Sequence, residues 1–148
     1  QSFEYSNLQA IRGMISMPTI FLMEAAQRRP YDFVLAGDPR TYGDLTRPEE
    51  LEKIARFATG IGPTKRLIVP EKADRTLAAP TTLVADAHRA GLLVHPYTFR
   101  DDPVFLAPDY AGDPQAEYLQ FFRLGVDAVF SDFADSAFRA RARFLRER

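Results

Sequence analysis

Two apolar runs, Leu92-Leu93-Val94-His95-Pro96-Tyr97-Thr98-Phe99 and Gly125-Val126-Asp127-Ala128-Val129-Phe130-Ser131-Asp132, constrain the fold of this chain more than any other feature. Both are rich in β-branched and aromatic residues, and both end in polar or aromatic side chains. A helix-like stretch closed by glycine leads into each of them, at Gly91 and at Gly125. That is the pattern of successive parallel βα units. Folds of this kind gather their active-site groups at the C-terminal ends of the strands.

The rest of the chain extends the pattern. Gln1 to Glu4 reads as the end of a strand, and Ser6 is placed to cap a helix whose Leu8, Ile11 and Ile15 share a face. Pro18 to Met23 reads as a buried parallel strand, and residues 24–45 read as a long loop interrupted by Pro30, Gly37, Pro39 and Gly43. Thr46-Arg47-Pro48-Glu49 has the form of a capping box opening a helix through Leu51, Ile54, Ala55 and Phe57. Ala58 to Pro63 is a short strand breaking into a turn at Gly60 and Gly62, glycines that shape a turn or let a ligand approach. After a mixed stretch over 64–79, Thr81 or Thr82 caps a helix carrying Leu83, Val84 and Ala87.

Asp101 to Gly112 reads as a loop, and Asp113-Pro114 caps a helix that buries Tyr118, Leu119 and Phe122. A terminal helix follows the last strand with Phe138, Ala142 and Leu145 directed inward. Five strands alternating with helices predict an α/β domain with a parallel sheet and right-handed crossovers. The sequence opens inside a strand, so residues 1–148 are expected to form a single partial domain, the last five strands of a (β/α)8 TIM barrel. Three βα units are expected to be missing before Gln1. The strands at Gln1 and Val126 are then open edges, to be covered by those units or by an oligomeric partner.

Composition removes several function classes. A formal net charge of −1 gives no electrostatic case for nucleic acid or an anionic membrane. The basic run Arg139, Arg141, Arg143, Arg146 and Arg148 reads as a solvated face near a helix C-terminus. With no cysteine, thiolate chemistry and disulfides are excluded, which fits a secreted or periplasmic protein without requiring one. No apolar run approaches the roughly 20 residues of a membrane span.

No complete catalytic set appears: there is no Gly-x-Ser-x-Gly elbow, Walker loop or His-Glu-x-x-His. His88 reads as a surface residue and His95 as a packed, hydrogen-bonded one, neither at zinc-ligand spacing. Glu4, Asp101, Asp102, Asp132 and Asp135 stand at or just past strand ends, where carboxylates can act. Asp132 and Asp135 also suit the start of the terminal helix. Phe3 and Tyr97 stand at strand ends, to line a pocket or plug the core.

Four segments together resemble the C-terminal part of glycerophosphodiester phosphodiesterases of the bacterial periplasmic type. They are Gln1-Ser2-Phe3-Glu4, Ala58 to Pro63, Val94 to Arg100 and Gly125 to Asp135, in that family's order across nearly the whole chain. Ser131 stands where relatives usually carry Thr, and Ala134 where they carry Pro. The resemblance implies a TIM barrel that hydrolyses glycerophosphodiesters to glycerol 3-phosphate and an alcohol. It also implies two catalytic histidines and a divalent cation, commonly Ca²⁺, whose carboxylate ligands lie in the first three βα units. The His-Arg-Gly, His-Asp and Glu-x-Lys motifs of those units do not occur in this sequence.

This chain is therefore expected to contain no catalytic or metal-binding residue and to be inactive alone. Phe3 and Tyr97 are the substrate-contacting residues the resemblance leaves here, with Tyr97 where many relatives place a Trp beside the glycerol. The alternative is a non-catalytic ligand-binding or scaffold domain derived from a barrel.

Overall fold

A computed structural model describes residues 1–147. Three short parallel strands form an open sheet in the order β1-β2-β3: β1 over Ile20–Met23, β2 over Gly60–Pro63 and β3 over Leu93–Val94. Ile20 pairs with Gly60 and Met23 with Pro63, and Gly60 in turn pairs with Leu93. A parallel sheet interior excludes water from both faces, and the register shows why two glycines sit there. A Cβ on Gly60 would lie 2.6 Å from the Leu93 carbonyl oxygen, and one on Gly62 would lie 2.6 Å from Leu22 Cδ2. The pair neither shapes a turn nor opens a ligand path; it lets neighbouring strands close over bulky Ile20 and Leu22.

The five expected strands are reduced to three, each flank keeping one parallel bridge: Ser2 to Phe21 on one side, Phe99 to Ser131 on the other. The cause on the second flank is chemical. Leu93, His95 and Tyr97 donate their amides to β2 and the residue before it, through the carbonyls of Thr59, Ile61 and Pro63. The alternate residues should pair outward, but Pro96 has no N–H and the Val94 amide goes to the Asp127 carboxylate at 2.8 Å. The carbonyls still accept across this flank, Val94 from the Asp127 amide and Pro96 from the Phe130 amide, each at 3.0 Å. Backbone donation outward begins at Phe99, which donates to Phe130 at 2.9 Å and accepts from Asp132 at 3.1 Å.

Among the described residues seven α-helices connect or flank these segments: α1 over Tyr5–Arg12, α2 over Tyr31–Ala36, α3 over Pro48–Ile54, α4 over Lys65–Ile68, α5 over Leu83–Arg89, α6 over Pro114–Arg123 and α7 over Ala134–Arg146. Asp113 caps α6 as expected, its Oδ1 accepting from the Gln115 amide at 2.9 Å with Pro114 in the first turn. Gly125 then takes φ +93, a left-handed value that turns the chain from α6 into the last segment.

Other caps differ from expectation. Ser6 lies inside α1 behind Glu4, and Ile15 falls beyond the helix and is exposed. The Thr46–Glu49 capping box does not form, because the Thr46 hydroxyl turns back to the Gly43 carbonyl at 2.7 Å and Arg47 takes the cap position. Of the two threonines before α5, Thr82 turns its hydroxyl to Asp86, while Thr81 Oγ1 accepts from the Leu83 amide at 3.4 Å. The loops over 24–45 and 64–79 contain α2 and α4.

The core lies between the sheet and its helices. Phe99 stacks on Tyr118 at 4.9 Å and meets Phe121 edge-on at 5.1 Å, joining the segment past β3 to α6. Each such ring contributes about 1.5–3 kcal/mol by burial. Within α6 the inner face includes Phe121, while Phe122 is only partly covered. On α7 the inner face is Ser136 and Ala140, small enough for α6 and α7 to approach closely. Phe138 (70% exposed) and Leu145 (50% exposed) point outward, against expectation. With Val126, Val129 and Arg141 they line an apolar groove of about 450 Å³ beside the Phe99–Ser131 flank. Arg148 of the basic run lies outside the described residues.

Candidate functional site

The C-terminal ends of the parallel segments meet on one side of the sheet. Phe3, just past the Ser2 bridge, and Tyr97, past β3, stand edge to face with ring centroids 6.0 Å apart. Both are held from behind. The Tyr42 hydroxyl donates to the Phe3 carbonyl at 2.9 Å, and the Tyr97 hydroxyl donates to the Met23 carbonyl at 3.0 Å. Burial, the largest cause in each case, pushes Tyr42 up to about 12 and raises Tyr97 as well, so both stay protonated donors.

A cleft of about 330 Å³ opens beside these rings, bounded also by Leu22, Thr98, Ser131 and Asp132. The Ser131 hydroxyl is committed, lying 2.6 Å from the Tyr118 hydroxyl and accepting from the Phe133 amide at 3.0 Å. Asp132 Oδ2 accepts from Arg100 Nε at 2.6 Å. Aromatic walls with one carboxylate at the rim suit a small polyol, whose carbons lie on the rings while its hydroxyls reach the carboxylate.

Across Tyr97 and Thr98 lies a second cleft of about 440 Å³. Arg66, Arg75 and Arg100 line it together with Glu71. The Glu71–Leu77 bridge forms a small antiparallel turn, and Arg75 within it takes a left-handed φ of +67. That turn delivers the Arg75 guanidinium to the carbonyls of Val104 at 2.9 Å and Leu106 at 3.2 Å. Arg100 packs over the Phe105 ring at 4.6 Å, and Arg66 pairs with Glu71.

Behind this cleft, Lys65 reaches Glu117 on α6 with Nζ 2.7 Å from Oε2, and Arg66 stands 3.6 Å from the other oxygen. Burial pulls Lys65 down and pushes Glu117 up, each opposed by the attraction of its partner. Sequence reasoning left Lys65 in a mixed stretch and passed over Glu117. A legible signal existed, since Glu117 stands one turn before Phe121 on the apolar face of α6, where an unpaired carboxylate would be costly.

The remaining candidates lie away from the clefts or are engaged elsewhere. His88 is on the surface and contacts Asp127 Oδ2 at 2.9 Å. His95 is partly buried, and desolvation lowers it against the pull of Asp127; no described group hydrogen-bonds its ring. Asp101 accepts from the Ser136 hydroxyl at the start of α7. Asp102 precedes a short 3-10 turn over Pro103–Phe105. Glu4 precedes α1, with no side-chain cap bond.

Phe133, not Asp132 or Asp135, takes the cap position of α7, and Asp135 pairs with Arg139 at 2.7 Å. Among the described residues no group of three His, Asp or Glu could hold a metal ion, so these side chains do not fit a Ca²⁺ site. Among them, too, no helix is long and apolar enough to cross a membrane.

Residues 1–136 match the model of the glycerophosphoryl diester phosphodiesterase family. The chain is 38% identical over 138 residues to Glycerophosphodiester phosphodiesterase GDPD6 of Arabidopsis thaliana, covering 92% of this chain and 35% of that protein. Over 101 residues it is 42% identical to Glycerophosphodiester phosphodiesterase GDPDL1 of the same plant, covering 66% of this chain and 13% of that one. The chain thus spans about a third, or less, of the length of these relatives.

Proposed function

The chain belongs to the glycerophosphoryl diester phosphodiesterase family, and from that premise we infer that it is the rim-forming part of an enzyme hydrolysing glycerophosphodiesters to glycerol 3-phosphate and an alcohol. The observation that carries this reading is the Phe3–Tyr97 pair, edge to face at the strand ends with its backbone anchors. The cleft that both rings line takes the glycerol. The family's barrel is the parent fold, of which the open three-stranded sheet is a part.

Chemistry belongs to residues outside this sequence, which has no His-Arg-Gly, His-Asp or Glu-x-Lys motif. A divalent cation, Ca²⁺ by resemblance, would be held there and would neutralise phosphate charge when bound. The βα units that carry it would also cover the sheet flanks and the apolar groove beside Phe138 and Leu145. A periplasmic or secreted location goes with the bacterial periplasmic type; the two relatives above are plant proteins and lend that finer placement no support.

Release of glycerol 3-phosphate from glycerophosphocholine tests the reading. The 148-residue chain alone should release none with or without Ca²⁺, and a longer protein containing it should release it in a chelator-sensitive manner. Turnover by the chain alone would overturn the division of labour. No turnover by the longer protein would favour the alternative, a non-catalytic binding domain, which the missing motifs also support.

A further inference from the structure

The second cleft is not needed to hold glycerol, yet it is the most cationic concavity at the strand ends. Lys65 and three guanidiniums line it; Glu71 is its lining carboxylate, while Asp132 and Glu117 pair with Arg100 and Lys65 from beside it, which leaves Arg75 the cation held by carbonyls alone. Each guanidinium is fixed by a contact that uses only part of its donor set. Arg75 gives its Nη2 to the Val104 and Leu106 carbonyls, Arg100 gives its Nε to Asp132, and Arg66 gives its Nη2 to Glu71. Such anchoring reduces the side-chain entropy that would be lost on gripping a ligand. A guanidinium carries five donors in a planar fork, and donors left over beside a cleft are matched by a phosphate or carboxylate.

We propose that the Arg75–Arg100 cleft is an anion subsite for a negatively charged group on the alcohol side of the substrate, distinct from the glycerol cleft. Its identity as a head-group site rests on the phosphodiesterase reading; its capacity to bind an oxyanion does not. The two clefts share the Tyr97 and Thr98 wall, so one molecule can lay its glycerol against Phe3 and Tyr97 and carry its anionic end to Arg75 and Arg100. The substrate class favoured is a glycerophosphodiester whose alcohol bears a second phosphate or a carboxylate.

The test is an amide NMR titration of the chain in low-salt buffer with inorganic phosphate, with acetate and with neutral glycerol. Phosphate should shift the amides of Arg75, Thr98 and Arg100, while glycerol should shift those of Phe3 and Ser131. Arg75→Ala and Arg100→Ala should each weaken phosphate about tenfold, the loss of one charge-assisted contact. Glu71→Gln, which deletes the opposing charge without removing a guanidinium, should tighten it and guards against a result due only to a disturbed 71–77 turn. Acetate matching phosphate would assign any oxyanion, and phosphate alone a phosphoryl group.

Absence of phosphate shifts at these amides, or phosphate affinity indifferent to all three substitutions, would overturn the subsite whatever glycerol does. Loss of glycerol binding with phosphate binding intact would instead count against the phosphodiesterase reading of the first cleft.

Discussion

Lys65 and Glu117 form a buried ion pair, Nζ to Oε2 at 2.7 Å, with side chains 9% and 1% exposed. It ties the start of α4, just past β2, to the inner face of α6, at the inner wall of the cationic cleft. Lys65 Nζ also stands 5.5 Å from the Phe99 ring centroid, so the pair sits within the aromatic packing that joins the segment past β3 to α6.

Removing one partner strands the other charge in the core. Lys65→Met or Glu117→Leu alone should cost about 3–5 kcal/mol, whereas the double substitution should recover most of that loss. Urea unfolding followed by circular dichroism measures all three. Single variants within 0.5 kcal/mol of the parent, on the order of an ordinary surface change, would mean the pair is solvated and contributes little.

Gly60 should be far less replaceable than Gly62. The added Cβ at Gly60 meets the backbone oxygen of Leu93, which cannot retreat without breaking the ladder, while at Gly62 the obstacle is the end of the Leu22 side chain. Gly60→Ala should cost about 3 kcal/mol and Gly62→Ala about 1 kcal/mol. Thermal unfolding of the two variants checks the order, and equal losses would refute the strand-closure argument.

His95 sets a pH dependence. Desolvation, partly offset by Asp127, holds its folded pKa below the ordinary 6.5. Between those two values the unfolded chain binds the proton more readily than the folded one, so acidification favours unfolding. Stability should be unaffected by His95 above 6.5 and should decline as pH falls from 6.5 through the folded value. His95→Asn should flatten that decline in denaturant midpoints measured from pH 7.5 to 5; an unchanged slope would exclude His95 as its source.

Tyr97 separates two roles. Tyr97→Phe deletes the bond to the Met23 carbonyl and should cost about 1 kcal/mol of stability while keeping the ring wall. Tyr97→Ala removes the wall and should weaken glycerol by about three- to tenfold in the same titration. If the two variants bind glycerol alike, the ring does not form the cleft wall.

The βα grammar was readable because strand runs and helix closers fall in order, and Phe3 and Tyr97 lie at or just past parallel pairings, as their places in the sequence imply. What escaped the sequence depended on contacts between distant segments. Six residues of α2 hid in the 24–45 excursion, although Pro30 before and Gly37 behind marked their limits. Phe138 and Leu145 looked inward because large apolar residues usually are. The close approach of α6 selects Ser136 and Ala140 instead, and no property of α7 alone reveals that. The cationic cleft joins residues from three separate segments, near 66, 75 and 100, which only the folded chain brings together.

The single-bridge flanks have a further consequence for the glycerol cleft. Phe3 hangs from one flank and Ser131 from the other, while Tyr97 belongs to the segment that continues the central ladder. The cleft is thus a caliper with one fixed arm and two arms set by whatever closes the sheet on either side. On the proposed reading, the units that close the sheet would also set its aperture, so completing the fold and gauging the glycerol would be one act.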